Sequence, residues 1–72
     1  MGEDKELILL FKRDSSLTGT DWERFCRRYA TRDVSTIVRY IKERYRGVFR
    51  ISASFKNSLK WEMAQVATRT VR

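Results

Sequence analysis

Residues 49–63 read FRISASFKNSLKWEM, and the parsing of this stretch decides the fold. Phe49, Ile51, Ala53 and Phe55 alternate with Arg50, Ser52 and Ser54; Leu59, Trp61 and Met63 then alternate with Lys60 and Glu62. All these positions obey a period of two, the repeat of a half-buried strand. Lys56-Asn57-Ser58 makes a three-residue connector in which Asn57 best takes a positive φ. The stretch therefore predicts a β-hairpin with one apolar face. Such a hairpin is not stable alone and must lie on what precedes it.

What precedes it has a helical period. Between Asp4 and about Asp14, Leu7, Ile8, Leu10 and Phe11 fall at helical spacing, with acids in the first turn and bases in the last, as the helix dipole favours. Ser15, Ser16, Thr18 and Gly19 break the pattern around Leu17, which either plugs the core or sits in a tiny strand. Thr20-Asp21-Trp22-Glu23 has the form of a capping box and starts a second helix, whose stripe is Trp22, Phe25, Cys26 and Tyr29. Asp33 or Thr31 can cap a third helix from Val34 to about Arg46, buried along Val34, Ile37, Val38, Ile41 and Tyr45 and stopped by Gly47 at C′. From Ala64 the pattern weakens, which fits a strand end followed by a short helix or a frayed tail, with 67–72 as the C-terminal tail.

Length and composition bound the function. Seventy-two residues allow one domain, 1–72, with a core expected over about 4–66. At 42% apolar and 12% aromatic, the chain has enough to bury a core. One cysteine and no histidine remove disulfide frameworks, Cys/His zinc sites and histidine acid–base chemistry. There is no glycine-rich phosphate loop and no carboxylate pair brought into a pocket, so no catalytic residue, metal or cofactor is expected, and no small-molecule substrate is evident. The longest apolar run, Leu7 to Phe11, is far too short to span a bilayer and no signal sequence precedes it. A chain free of membrane, in the cytoplasm of a prokaryote or the nucleus of a eukaryote, is the expectation.

The net charge of +7 is unevenly spread. Residues 1–23 carry three bases against six acids, 24–50 nine against two, and 51–72 four against one. A field of that kind points to a polyanionic partner. The aromatic stripes are at core spacing and read as packing, and Cys26 as a small buried hydrophobe.

Three helices followed by a hairpin, in this order and at these lengths, resemble the winged helix-turn-helix family over roughly residues 4–66. The resemblance implies an α+β fold, a three-helix bundle followed by a β-hairpin wing. It also implies a DNA-binding role in which helix 34–46 enters the major groove and the 50–60 hairpin touches the flanking backbone or minor groove. The turn Thr31-Arg32-Asp33 lacks the glycine common in helix-turn-helix turns. On the face of the third helix away from its stripe, Arg39 is the best base reader, since its planar fork matches guanine O6 and N7, with Ser35, Thr36 and Lys42 beside it. Arg27, Arg28, Arg32, Tyr40, Arg46, Arg50, Lys56, Asn57 and Lys60 are the candidates for backbone contacts, which position without reading sequence.

The function so implied is sequence-specific double-stranded DNA binding by a transcription regulator, replication initiator or recombination accessory factor. An RNA-binding module and a docking module for an acidic protein are the alternatives. A second copy, or other domains of a larger parent protein, are further partners; the spare apolar surface for them is the tail with Val66 and Val71 or an exposed hairpin aromatic.

Overall fold

The computed structural model describes residues 2–70, with side chains placed for 3–69. Its elements are α1 (Gly2–Asp14), α2 (Thr20–Tyr29), α3 (Ser35–Tyr45) and α4 (Phe55–Thr70). Three of these are the helices the periodicity requires. The fourth replaces the hairpin: among the described residues there is no strand, so the fold is all-helical rather than α+β, and no wing exists.

The reason lies in a coincidence of periods. Phe55, Leu59 and Met63 are spaced by four, which satisfies an alternation of two and equally the face of a helix. Buried together with Ala67, they make a stripe that runs on past the point where the alternation fails. Trp61, on the hairpin's expected apolar face, lies on the far side of the helix and is 61% exposed. Ser52 to Gln65 contains no β-branched residue and many helix formers, and a lone Asn57 is a weak turn signal beside that. Only Phe49 and Ile51 behave as alternation demands, half-buried on either side of exposed Arg50. They do so in the loop between α3 and α4, where no residue is assigned to a strand. The expected tail begins inside α4, and Val71 lies outside the described residues.

Local signals were right in kind and shifted in detail. Thr20 is the first helical residue of α2, not its cap; Gly19 takes that place, and no side chain caps the helix. Gly19 has φ 55° and ψ −126°, a conformation open essentially to glycine alone. α1 ends in a Schellman motif with Ser16 at φ 58°. There the Leu17 N–H donates to the Lys12 carbonyl at 2.8 Å and the Ser16 N–H to that of Arg13 at 3.1 Å. Leu17 is half-buried against the core, not in a strand. At the start of α3, Asp33 Oδ1 accepts from the backbone N–H of Ser35 at 3.1 Å and from its hydroxyl at 2.8 Å. Gly47 does not adopt the left-handed C′ conformation; Val48 and Phe49 N–H groups close the end of α3 on the Tyr45 carbonyl.

α4 is the element on which the other three helices pack. The buried set contains the whole expected stripe of the third helix, with Leu7, Ile8 and Phe11 from α1 and Trp22 and Cys26 from α2. Phe25 and Tyr29 pack on it while partly exposed. Trp22 stacks on Phe25 at 5.6 Å and meets Phe11 edge-on. Its Nε1 is the buried side-chain polar atom without a partner among the described residues, a cost of about 1–3 kcal/mol that the ring contacts offset. Burial pushes the Cys26 thiol up to about 11, against the pull of Lys12; at neutral pH it is a packed apolar group.

Two polar contacts hold α1 at its ends. The Ser58 hydroxyl donates to Asp4 at 2.9 Å, and the Tyr45 hydroxyl donates to Asp14 at 2.7 Å. No helix among the described residues is long and apolar enough to cross a membrane.

Candidate nucleic-acid interface

Ser35, Arg39, Lys42 and Arg46 recur at intervals of four, three and four, so at 100° per residue they fall within about 60° of one another on α3. This flank faces the start of α4. Ser35, Arg39 and Lys42 line a groove of about 360 Å³ with Val38, Glu43, Ala53 and Lys56. A second groove, about 380 Å³, continues from it along Lys42, Glu43, Arg46, Phe49, Arg50 and Ile51. The two share Lys42 and Glu43, so one basic track runs from Lys56 past Arg39, Lys42 and Arg46 to Arg50. Lys60 lies one turn after Lys56 on the same side of α4. It is the helical path of α4, not a hairpin tip, that brings Lys56 to Arg39.

Lys56 is held in place. Its Nζ lies 3.2 Å from Asp33 Oδ1, the ion pair found among the described residues, and both side chains are substantially exposed. The same carboxylate oxygen serves Ser35, so a single acid orders the start of α3 and the ammonium at the rim of the track. The bonds from Ser35, then the one from Lys56, hold the Asp33 carboxyl below its usual range.

The remaining candidates are not gathered here. Asn57 lies in a different groove, with Asp4, Lys5, Ile8, Ser58, Trp61 and Glu62. Tyr40 sits on the other flank of α3, 51% exposed, its ring edge-on to Phe11 at 6.2 Å. Thr36 is exposed on α3 and lines neither groove. Arg27 and Arg28 project from the outward face of α2, and Arg32 stands exposed in the turn before α3; none of the three lines either groove. Two residues that belong to the track escaped the sequence reading. Glu43 was readable as the i+4 neighbour of Arg39, an acid inside a basic stripe. Asp33 was read only as a cap, and nothing local signals its bond to a lysine 23 positions away.

No family model, curated protein or solved structure matches the chain, so the resemblance to winged helix-turn-helix proteins gains nothing from known relatives.

Proposed function

We propose that this protein binds double-stranded DNA, with α3 along the major groove and the start of α4 and the 46–54 loop on the flanking backbone. The observation that carries this reading is the convergence of Arg39, Lys42, Arg46, Arg50 and Lys56 into one track on a chain whose acids are concentrated in residues 1–23. The 11 residues of α3 are about 16 Å long, enough to follow roughly five base pairs. Arg39 lies in the N-terminal half of α3 and is the base reader; Lys42, Arg46, Arg50 and Lys56 meet phosphates. Glu43, next to Arg39, disfavours a phosphate in the middle of the track and can accept from a cytosine amino group.

Fluorescence anisotropy of a labelled duplex over a salt series tests this. With four cations on phosphates, log K falls with log[salt] at a slope of about −3 to −4. Arg39→Ala lowers affinity by about 1–3 kcal/mol and relaxes preference at one position, while Arg50→Ala weakens all sequences alike. A flat salt response, or equal competition by duplex RNA and single strands, removes the proposal; binding to an acidic protein through the same track, with none to DNA, replaces it.

A further inference from the structure

The outward face of α1 sets an exposed leucine between charges of opposite sign. Leu9 is 60% exposed, a large side chain in water on a helix whose other leucine and isoleucine positions are buried or half-buried. Beside it Leu10 and Phe49 line a groove of about 520 Å³ that also meets Glu6, Lys12 and Arg13; the Lys12 ammonium is turned onto the Trp22 ring at 4.9 Å, which leaves Glu6 and Arg13 to face a partner. Glu6 and Arg13 are both exposed, and neither takes part in the ion pair found among the described residues. Two turns of helix separate them, about 10 Å, too far to reach each other. They are placed symmetrically about the midpoint between Leu9 and Leu10.

That symmetry selects a partner. Rotating the helix by a two-fold axis through this midpoint exchanges residue 6 with 13 and 9 with 10. A second α1 laid antiparallel on the first therefore sets Glu6 against Arg13 of the other copy, twice, with the leucines between. Isologous contacts of this kind are the commonest way for identical chains to pair. A basic peptide would be repelled by Arg13 and an acidic one by Glu6, whereas a second copy satisfies both.

We propose that α1 is a homodimerisation surface in which two copies pack antiparallel across Leu9, Leu10 and Phe49, locked by reciprocal Glu6–Arg13 pairs. A patch about one 20 Å helix long, edged by one aromatic, falls short of the roughly 800 Å² per partner of a stable interface. The dimer is accordingly weak and salt-sensitive. Phe49 also lines the Arg46–Arg50 groove, but Leu9, Leu10, Glu6 and Arg13 lie outside both basic grooves, so substitutions at those four test pairing separately from nucleic-acid binding.

The test is sedimentation of the whole chain at low salt, from about 10 µM to about 1 mM, a range that brackets weak association. Wild type shifts from monomer to dimer across that range. Leu9→Glu, at an exposed position and with helicity checked by circular dichroism, abolishes the shift. Glu6→Arg and Arg13→Glu each weaken it about ten-fold or more by setting like charges face to face. The doubly reversed chain, E6R with R13E, restores it while returning the net charge to the original +7, which separates pairing from general repulsion. A chain that stays monomeric throughout overturns the proposal. So does dimerisation that survives Leu9→Glu, or a double reversal that fails to restore what the single ones lost.

Discussion

Leu59 and Trp61 stand two residues apart, and exchanging them singly distinguishes a helix from a hairpin in this region. As alternate positions of a strand both would face the core; in α4 they point in nearly opposite directions, Leu59 fully buried and Trp61 61% exposed. Leu59→Ala removes a side chain at the junction of α4 with the rest of the bundle and costs about 3 kcal/mol. A domain of 72 residues has a total stability of roughly 4–11 kcal/mol, so the loss is a large fraction of the whole. At about 0.15 kcal/mol per kelvin of unfolding entropy for this length, Tm falls by roughly 12–24 °C. Trp61→Lys replaces an exposed indole by a better helix former whose methylenes cover the same surface with the ammonium in water, and costs less than about 1 kcal/mol. Urea denaturation followed by helical ellipticity, which does not depend on the tryptophan removed, measures both. A Trp61→Lys chain that unfolds outright, or a Leu59→Ala chain as stable as wild type, would refute the helical assignment.

Two backbone positions give opposite signs. Ser16→Gly relieves a left-handed serine at the end of α1 and stabilises by about 0.5 kcal/mol after the entropy that glycine adds to the unfolded chain. Gly19→Ala has open space for its methyl group yet a φ of +55°, and destabilises by about 1–2 kcal/mol in the same denaturation assay. Tyr45→Phe deletes the bond to Asp14 and costs about 1–2 kcal/mol. Burial first, then Asp14, holds the Tyr45 phenol above its usual 10.0, so its contribution is whole below that pH and is lost as pH rises through the folded value. The alkaline decline of stability is therefore shallower in Tyr45→Phe than in wild type, and an unchanged decline would contradict the assignment. Asp33→Asn keeps an oxygen acceptor for Ser35 and removes the carboxylate that competes for Lys56; DNA affinity rises several-fold at low salt with the salt slope unchanged, since Lys56 meets phosphate in both chains, read by the anisotropy series.

The three N-terminal helices were legible because each carries a stripe that only a period near 3.6 explains. Val34, Ile37, Val38, Ile41 and Tyr45 admit no strand reading, and all are buried. In residues 49–63 two periods coincide at 55, 59 and 63, and the alternation won on paper through Phe49, Ile51 and Trp61. Two of these lie in a loop and the third faces water. The signal that separates the readings was present: the apolar spacing of four continues from Met63 to Ala67, and β-branched residues are missing between 52 and 65. Caps slipped by one residue at Thr20 because a side-chain signature does not outweigh a glycine able to take the φ that the chain reversal needs.

The sequence by itself determined the segregation of charge, the amphipathic stripes of α1, α2 and α3, the basic flank 35–39–42–46 and the inertness of Cys26. All of these follow from local spacing and composition. Only the tertiary structure decided what the fourth segment is, where Lys56 stands and which candidates share a surface. Strand and helix give the same inward positions for residues four apart, so the choice between them falls to the partners that bury Phe55, Leu59 and Met63. Once those three helices are the partners, the turn into α4 carries Lys56 to Asp33 and the rim of the Arg39 track, and turns Asn57 and Trp61 away from it.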